Sequence, residues 1–103
     1  MNLMDLVSNP REIRRRLGLN QYQFWSKIGV TQSGGSRYES GRSMPKPVVE
    51  LLRLVHVERI DLSKVRRVDF DILEQVKSLH PDLYERLSMA VQDQQQNTQR
   101  TTH

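Results

Sequence analysis

Three features predict an all-α fold for this chain. Apolar residues recur at helical spacing, as at Phe24, Trp25 and Ile28 and again at Ile72, Leu73, Val76 and Leu79. Capping residues (Asn9, Asn20, Thr31) stand just before such stripes, and Gly18, Gly29 and Gly41 stand just after them. Prolines occupy helix starts at Pro10, Pro47 and Pro81, where a missing N–H costs nothing. The expected architecture is a compact helical bundle followed by an additional C-terminal helix pair.

Each element can be justified in turn. Residues 1–8 place Leu3, Leu6 and Val7 at near-helical spacing and are an expected lead-in turn or helix. Asn9-Pro10-x-Glu12 opens the first helix, which turns Ile13 and Leu17 inward and stops at Gly18. Asn20 caps the second, and Gly29 ends it in a left-handed turn. Thr31 caps the third, Gln32 to Ser40, before Gly41. Ser43 to Lys46 is a loop. Pro47 opens the fourth, with Val48, Leu51, Leu52 and Val55 as its buried stripe. Ile60 to Val65 is expected as one more helical turn, closing the core with Leu62 and Val65. These elements set a first domain at residues 1–66.

Residues 67–92 form the helix pair. Asp69 is the expected cap of a helix carrying Ile72, Leu73, Val76 and Leu79, and His80-Pro81 breaks it from a last helix with Leu83, Tyr84, Leu87, Ala90 and Val91 on one stripe. Two such helices cannot stabilise one another alone. They must pack on the bundle or on a second copy, so Ile72, Leu73, Val76, Leu83, Tyr84 and Leu87 are the candidate oligomerisation surface. Residues 93–103 are polar, without an apolar stripe, and are expected to be disordered.

Charge is divided along the chain. The total is +4, yet Arg11 to Lys46 holds eight basic residues against Glu12 and Glu39, while Pro47 to the end holds eight basic against nine acidic. A basic half joined to a neutral half suits a module that docks on phosphates and a second part with another task. There is no cysteine, hence no disulfide or thiolate metal site. The amino terminus lacks the basic lead of a secretory signal, and no apolar run approaches the roughly 20 residues that span a bilayer. A cytoplasmic place is expected. His56, His80 and His103 are scattered, no nucleophile sits in a recognisable elbow, and Gly34-Gly35 lacks the lysine and spacing of a phosphate loop. Neither an enzyme, a metal nor a cofactor is implied.

A helix of about ten residues, a glycine turn and a second helix, spanning Gln21 to Arg42, make a helix-turn-helix. Arg14, Leu17 to Gln21, Lys27 to Ser33, Arg37, Tyr38-Glu39-Ser40-Gly41-Arg42 and Pro45 carry a further likeness. Through them, residues 10 to 65 resemble the lambda-repressor and Cro-like, or xenobiotic-response-element, helix-turn-helix family. That resemblance implies a five-helix DNA-binding bundle. The chain departs from the family at two positions: Trp25 replaces a small residue, and Gly35 replaces a branched apolar one. The two positions face each other in the family, so a large-for-small swap opposite a small-for-large swap conserves core volume. Ser33 to Ser36 is therefore expected to remain helical despite two glycines.

The resemblance also implies roles. The third helix enters the major groove, with Gln32, Ser33, Ser36 and Arg37 as candidates for base edges. Thr31, Gln21, Arg42 and Lys46 fall at phosphate-contacting positions. Arg14 is expected to brace Glu39 rather than to grip phosphate, and Arg15 and Arg16 are expected to be solvated. The function implied is a dimeric, sequence-specific transcriptional regulator, of repressor type, acting on a near-palindromic operator in a bacterium or phage. Two alternatives stand beside it: the antitoxin of a toxin–antitoxin pair, and a protein-interaction module that has lost DNA contact.

Overall fold

The computed structural model describes the backbone of residues 7–101 and the side chains of residues 7–95. The chain is all-helical, with no strand among the described residues, and divides into two compact units, 1–63 and 64–103. Most of the lead-in expected at residues 1–8 lies outside the described residues, but Val7 is buried in the core of the first unit.

From Pro10 on, the described residues of the first unit form four α-helices: α1 (Pro10–Arg16), α2 (Gln21–Ser26), α3 (Gln32–Glu39) and α4 (Lys46–Leu52). Local chemistry sets their ends. The Asn9 side chain accepts from the Glu12 N–H at 3.3 Å and leads into Pro10. Asn20 and Gln23 exchange bonds in a capping box, at 2.8 and 2.9 Å, ahead of α2. Thr31 accepts from the Gly34 N–H at 3.1 Å ahead of α3. Helices α1 and α3 close with the same pair of hydrogen bonds: Leu19 N–H to Arg14 O and Gly18 N–H to Arg15 O, then Arg42 N–H to Arg37 O and Gly41 N–H to Tyr38 O. Between α2 and α3 the chain reverses at Gly29, whose φ of +77° a residue with a Cβ rarely adopts.

Phe24, Trp25 and Leu52 are fully enclosed and Val7, Ile13 and Ile28 nearly so, with Leu17, Val30, Tyr38, Met44, Val48, Leu51 and Val55 packed around them. Burying each large apolar side chain contributes about 1.5–3 kcal/mol. Trp25 meets Phe24 edge-on, with ring centroids 5.1 Å apart and planes at 82°, an arrangement that aromatic quadrupoles favour. Directly after α4 the chain widens into a π-helical turn, Arg53–Val57, with Glu58 N–H reaching Arg53 O at 2.8 Å. His56 in this turn is buried, its ring stacked on Phe24 at 3.8 Å. Its Nε2 lies 2.8 Å from the Phe24 carbonyl, which can only accept, so this nitrogen carries the hydrogen.

Leu62 and Val65 do not close the core as the sequence predicts, and Ile60 ahead of them does not enter it either. Leu62–Lys64 is a short 3-10 turn, and all three apolar side chains are exposed. The Asp61 carboxylate takes the backbone N–H and the hydroxyl of Ser63, a local turn that competes with continued helix.

The second unit is a helical hairpin of α5 (Arg67–Leu79) and α6 (Pro81–Thr101). Arg66, not Asp69, stands at the start of α5; Asp69 lies in its first turn, where a carboxylate still faces the positive end of the helix dipole. Helix α6 continues through the glutamine-rich run to Thr101, although residues 93–103 read as disordered. Glutamine is a good helix former, so a polar run without glycine or proline can prolong a helix already begun.

Candidate nucleic-acid interface

The α2–turn–α3 segment is held from beneath by one carboxylate. The Glu39 side chain, at the end of α3, is wholly enclosed. Arg14 donates to it through Nε and Nη2, both at 3.0 Å, and also reaches the Leu19 carbonyl at 3.1 Å. Trp25 Nε1 donates at 2.8 Å, and Gln21 Nε2 and Arg11 Nε each at 3.4 Å. Burial pushes the pKa of such a carboxyl up. The hydrogen bonds from Arg14, Trp25 and Gln21, with the Arg14 charge, outweigh that effect and hold it at about 2. Glu39 therefore stays ionised, and three elements (α1, α2 and α3) are tied at one point.

Gly35 is buried, and a Cβ placed on it would collide with the Trp25 indole. Residues Ser33 to Ser36 are helical, so the two glycines are accommodated inside α3 rather than in a loop. The indole occupies the room that a side chain at position 35 would need.

What α3 leaves outward is polar. Gln32, Ser33 and Arg37 are exposed, and Ser36 is half-buried. Thr31, also exposed, has its hydroxyl 3.4 Å from that of Ser33. A shallow depression where the amino ends of α2 and α3 meet is lined by Gln21, Tyr22, Thr31, Gln32, Ser33 and Ser36. Arg42 and Lys46 follow α3 and are exposed. Glu39 is the one acidic residue between Glu12 and Glu50, and it points inward, so the outward charge of this stretch is positive. Arg15 and Arg16 are both exposed, Arg16 forming a surface ion pair with Glu12 one turn away at 3.2 Å.

Two side chains bear on the residue set predicted from sequence. Gln21 turns its amide toward Glu39, so that group is committed inward. Tyr22, unremarked in the sequence, is 64% exposed at the rim of the depression. Its signal was available: position 22 falls off the Phe24–Trp25–Ile28 stripe, and an aromatic there has no core to enter.

Residues 11–55 match the family model of the RsaL-like HTH domain. The chain carries a helix-turn-helix DNA-binding domain. The match spans α1 to α4 and the first part of the π-helical turn, and stops before the hairpin. It supports helix-turn-helix DNA binding without singling out the lambda-repressor and Cro-like family. No curated protein and no solved structure matches the chain. No described helix is long and apolar enough to cross a membrane.

Proposed function

We propose that the chain is a transcriptional regulator of repressor type, of a bacterium or phage, that reads double-stranded DNA with α3 as a two-fold dimer on a near-palindromic operator. The observation that carries this is the outward face of α3: amide, hydroxyl and guanidinium groups presented together, with the single nearby carboxylate withdrawn beneath them. Gln32 offers an amide fork to adenine, Arg37 a guanidinium fork to guanine, and Ser33 and Ser36 small donors or acceptors. Thr31, Arg42 and Lys46 grip phosphate on either side. Because the Gln21 amide is engaged by Glu39, the phosphate contact expected at that position passes to the neighbouring Tyr22 hydroxyl. The resemblance to lambda-repressor and Cro-like proteins supports the repressor role, and one recognition helix reads too few base pairs to act singly.

Selection of bound duplexes from a random pool tests this. One sequence with near-two-fold symmetry should be enriched. Gln32→Ala or Arg37→Ala should cost about 1–3 kcal/mol on that sequence and relax preference at one or two base pairs. No enrichment would refute sequence-specific reading, and equal weakening on every duplex would reduce the residue to a phosphate contact.

A further inference from the structure

In the second unit none of the residues 64–95 is buried, although α5 and α6 both carry apolar stripes. Ile72, Leu73 and Val76 of α5 and Tyr84, Leu87 and Val91 of α6 line one open groove along the hairpin. Leu83, read from the sequence as part of this surface, does not line it; Ser88 does. Asp69 and Gln92 line the groove as well, and Lys77 Nζ lies 5.0 Å from the centre of the Tyr84 ring, adding a cation–π contact within the hairpin.

We infer that this groove closes on the same groove of a second copy of the chain, forming a four-helix bundle. A unit this small, 64–103, lacks the surface burial to stand alone, and such units otherwise rely on disulfides or metals. The chain has no cysteine, and the described residues hold no cluster of metal-ligating side chains. Three- and four-residue apolar spacing on both helices is the pattern of a bundle seam. Charge does little to oppose self-association: residues 64–95 hold five basic and six acidic side chains, a net charge of only −1 on each copy. A strongly charged partner would find nothing to match. Ser88, small and within the groove, lets facing helices approach closely. The inference supplies the contact for the dimer proposed above, and so rests on that proposal, but it concerns a different surface.

Full-length chain is examined by sedimentation equilibrium. Wild type should weigh twice 12.1 kDa, and the Leu73→Glu/Leu87→Glu variant 12.1 kDa with unchanged Trp25 emission. Ser88→Cys, the chain's sole thiol, should be joined to a second copy by at least one of a set of bismaleimides of graded span. The double variant should bind a two-half-site duplex at least about tenfold more weakly while keeping its affinity for a single half-site. A wild-type monomer, a double variant that still dimerises, or a dimer in which Ser88→Cys is joined by none of a set of bismaleimides of graded span would overturn the inference. If the double variant loses its fold, the cross-link decides. A cross-linked wild-type-like dimer that binds no duplex would uphold the hairpin contact and refute DNA binding.

Discussion

The indole N–H of Trp25 donates to the Glu39 carboxylate at 2.8 Å, across the two helices of the helix-turn-helix. One side chain thus fills the space above Gly35 with its ring and satisfies a buried charge with its edge. A carboxylate at the end of a helix meets the negative end of the dipole, so Glu39 is stable there only with compensation. Arg14 supplies the charge and Trp25 the neutral donor, and no buried side-chain N or O is left without a partner among the described residues.

The packing half of this relationship predicts a strong coupling. Gly35→Ile should overpack against the indole and destabilise by about 1–3 kcal/mol. Trp25→Ala alone should cost about 3–5 kcal/mol. The double mutant, with a branched side chain opposite a small one, should be more stable than the sum of the singles by at least about 1 kcal/mol in urea unfolding. Strict additivity would show that the two positions do not share space.

The electrostatic half predicts an acid limb. Glu39 is held at about 2 when folded, against 4.5 in an unperturbed chain. As pH falls below about 4.5 the unfolded chain takes up the proton first, so stability declines from there down through about pH 2. The loss amounts to roughly 3 kcal/mol. Glu39→Gln should flatten this limb, and should lower stability at neutral pH by several kcal/mol because the Arg14 charge is left without its partner (roughly 3–5 kcal/mol for a broken buried pair). Denaturant midpoints measured across pH would check both.

His56 contributes in the same direction at higher pH. Burial lowers its pKa; the bond to the Phe24 carbonyl opposes this, and the Lys27 and Arg59 charges reinforce the lowering. The folded chain therefore keeps a neutral ring while the unfolded chain titrates near 6.5, and stability falls as pH drops below that value. His56→Phe should remove this portion of the pH dependence. At neutral pH it should cost about 1–3 kcal/mol, since the Phe24 carbonyl loses a donor.

The helices α1 to α4 were legible in the sequence because their stop and start signals are local. A cap such as Asn20 and its reciprocal Gln23 sit three residues apart, and Gly29 needs only its own φ. What the sequence concealed depends on distant partners. The Arg14 brace of Glu39 follows from the family resemblance, but the donors from residues 21 and 25 do not, and nothing in the spacing says that Gln21 faces it. Leu62 and Val65 read as core by polarity alone, yet Asp61 turns the chain before they can pack. In α6 the polar run promises disorder, while the chemistry of glutamine permits helix. For the candidate interface, the outward position of Gln32, Ser33 and Arg37 follows from helix register, and so does that of Tyr22, which falls off the buried stripe of α2.

Tyr22 now carries a prediction of its own. Tyr22→Phe, which keeps the ring and removes the hydroxyl, should weaken duplex binding similarly on all sequences. A shift in the preferred sequence would mean that the side chain meets a base edge instead.

The most direct measurement is duplex affinity as a function of salt. With about six phosphates neutralised, the logarithm of the binding constant should fall against the logarithm of salt with a slope of about −5. Lys46→Ala should make that slope shallower by about one and leave the preferred sequence unchanged. An affinity that does not respond to salt, or no duplex binding even at low salt, would contradict DNA binding by this face.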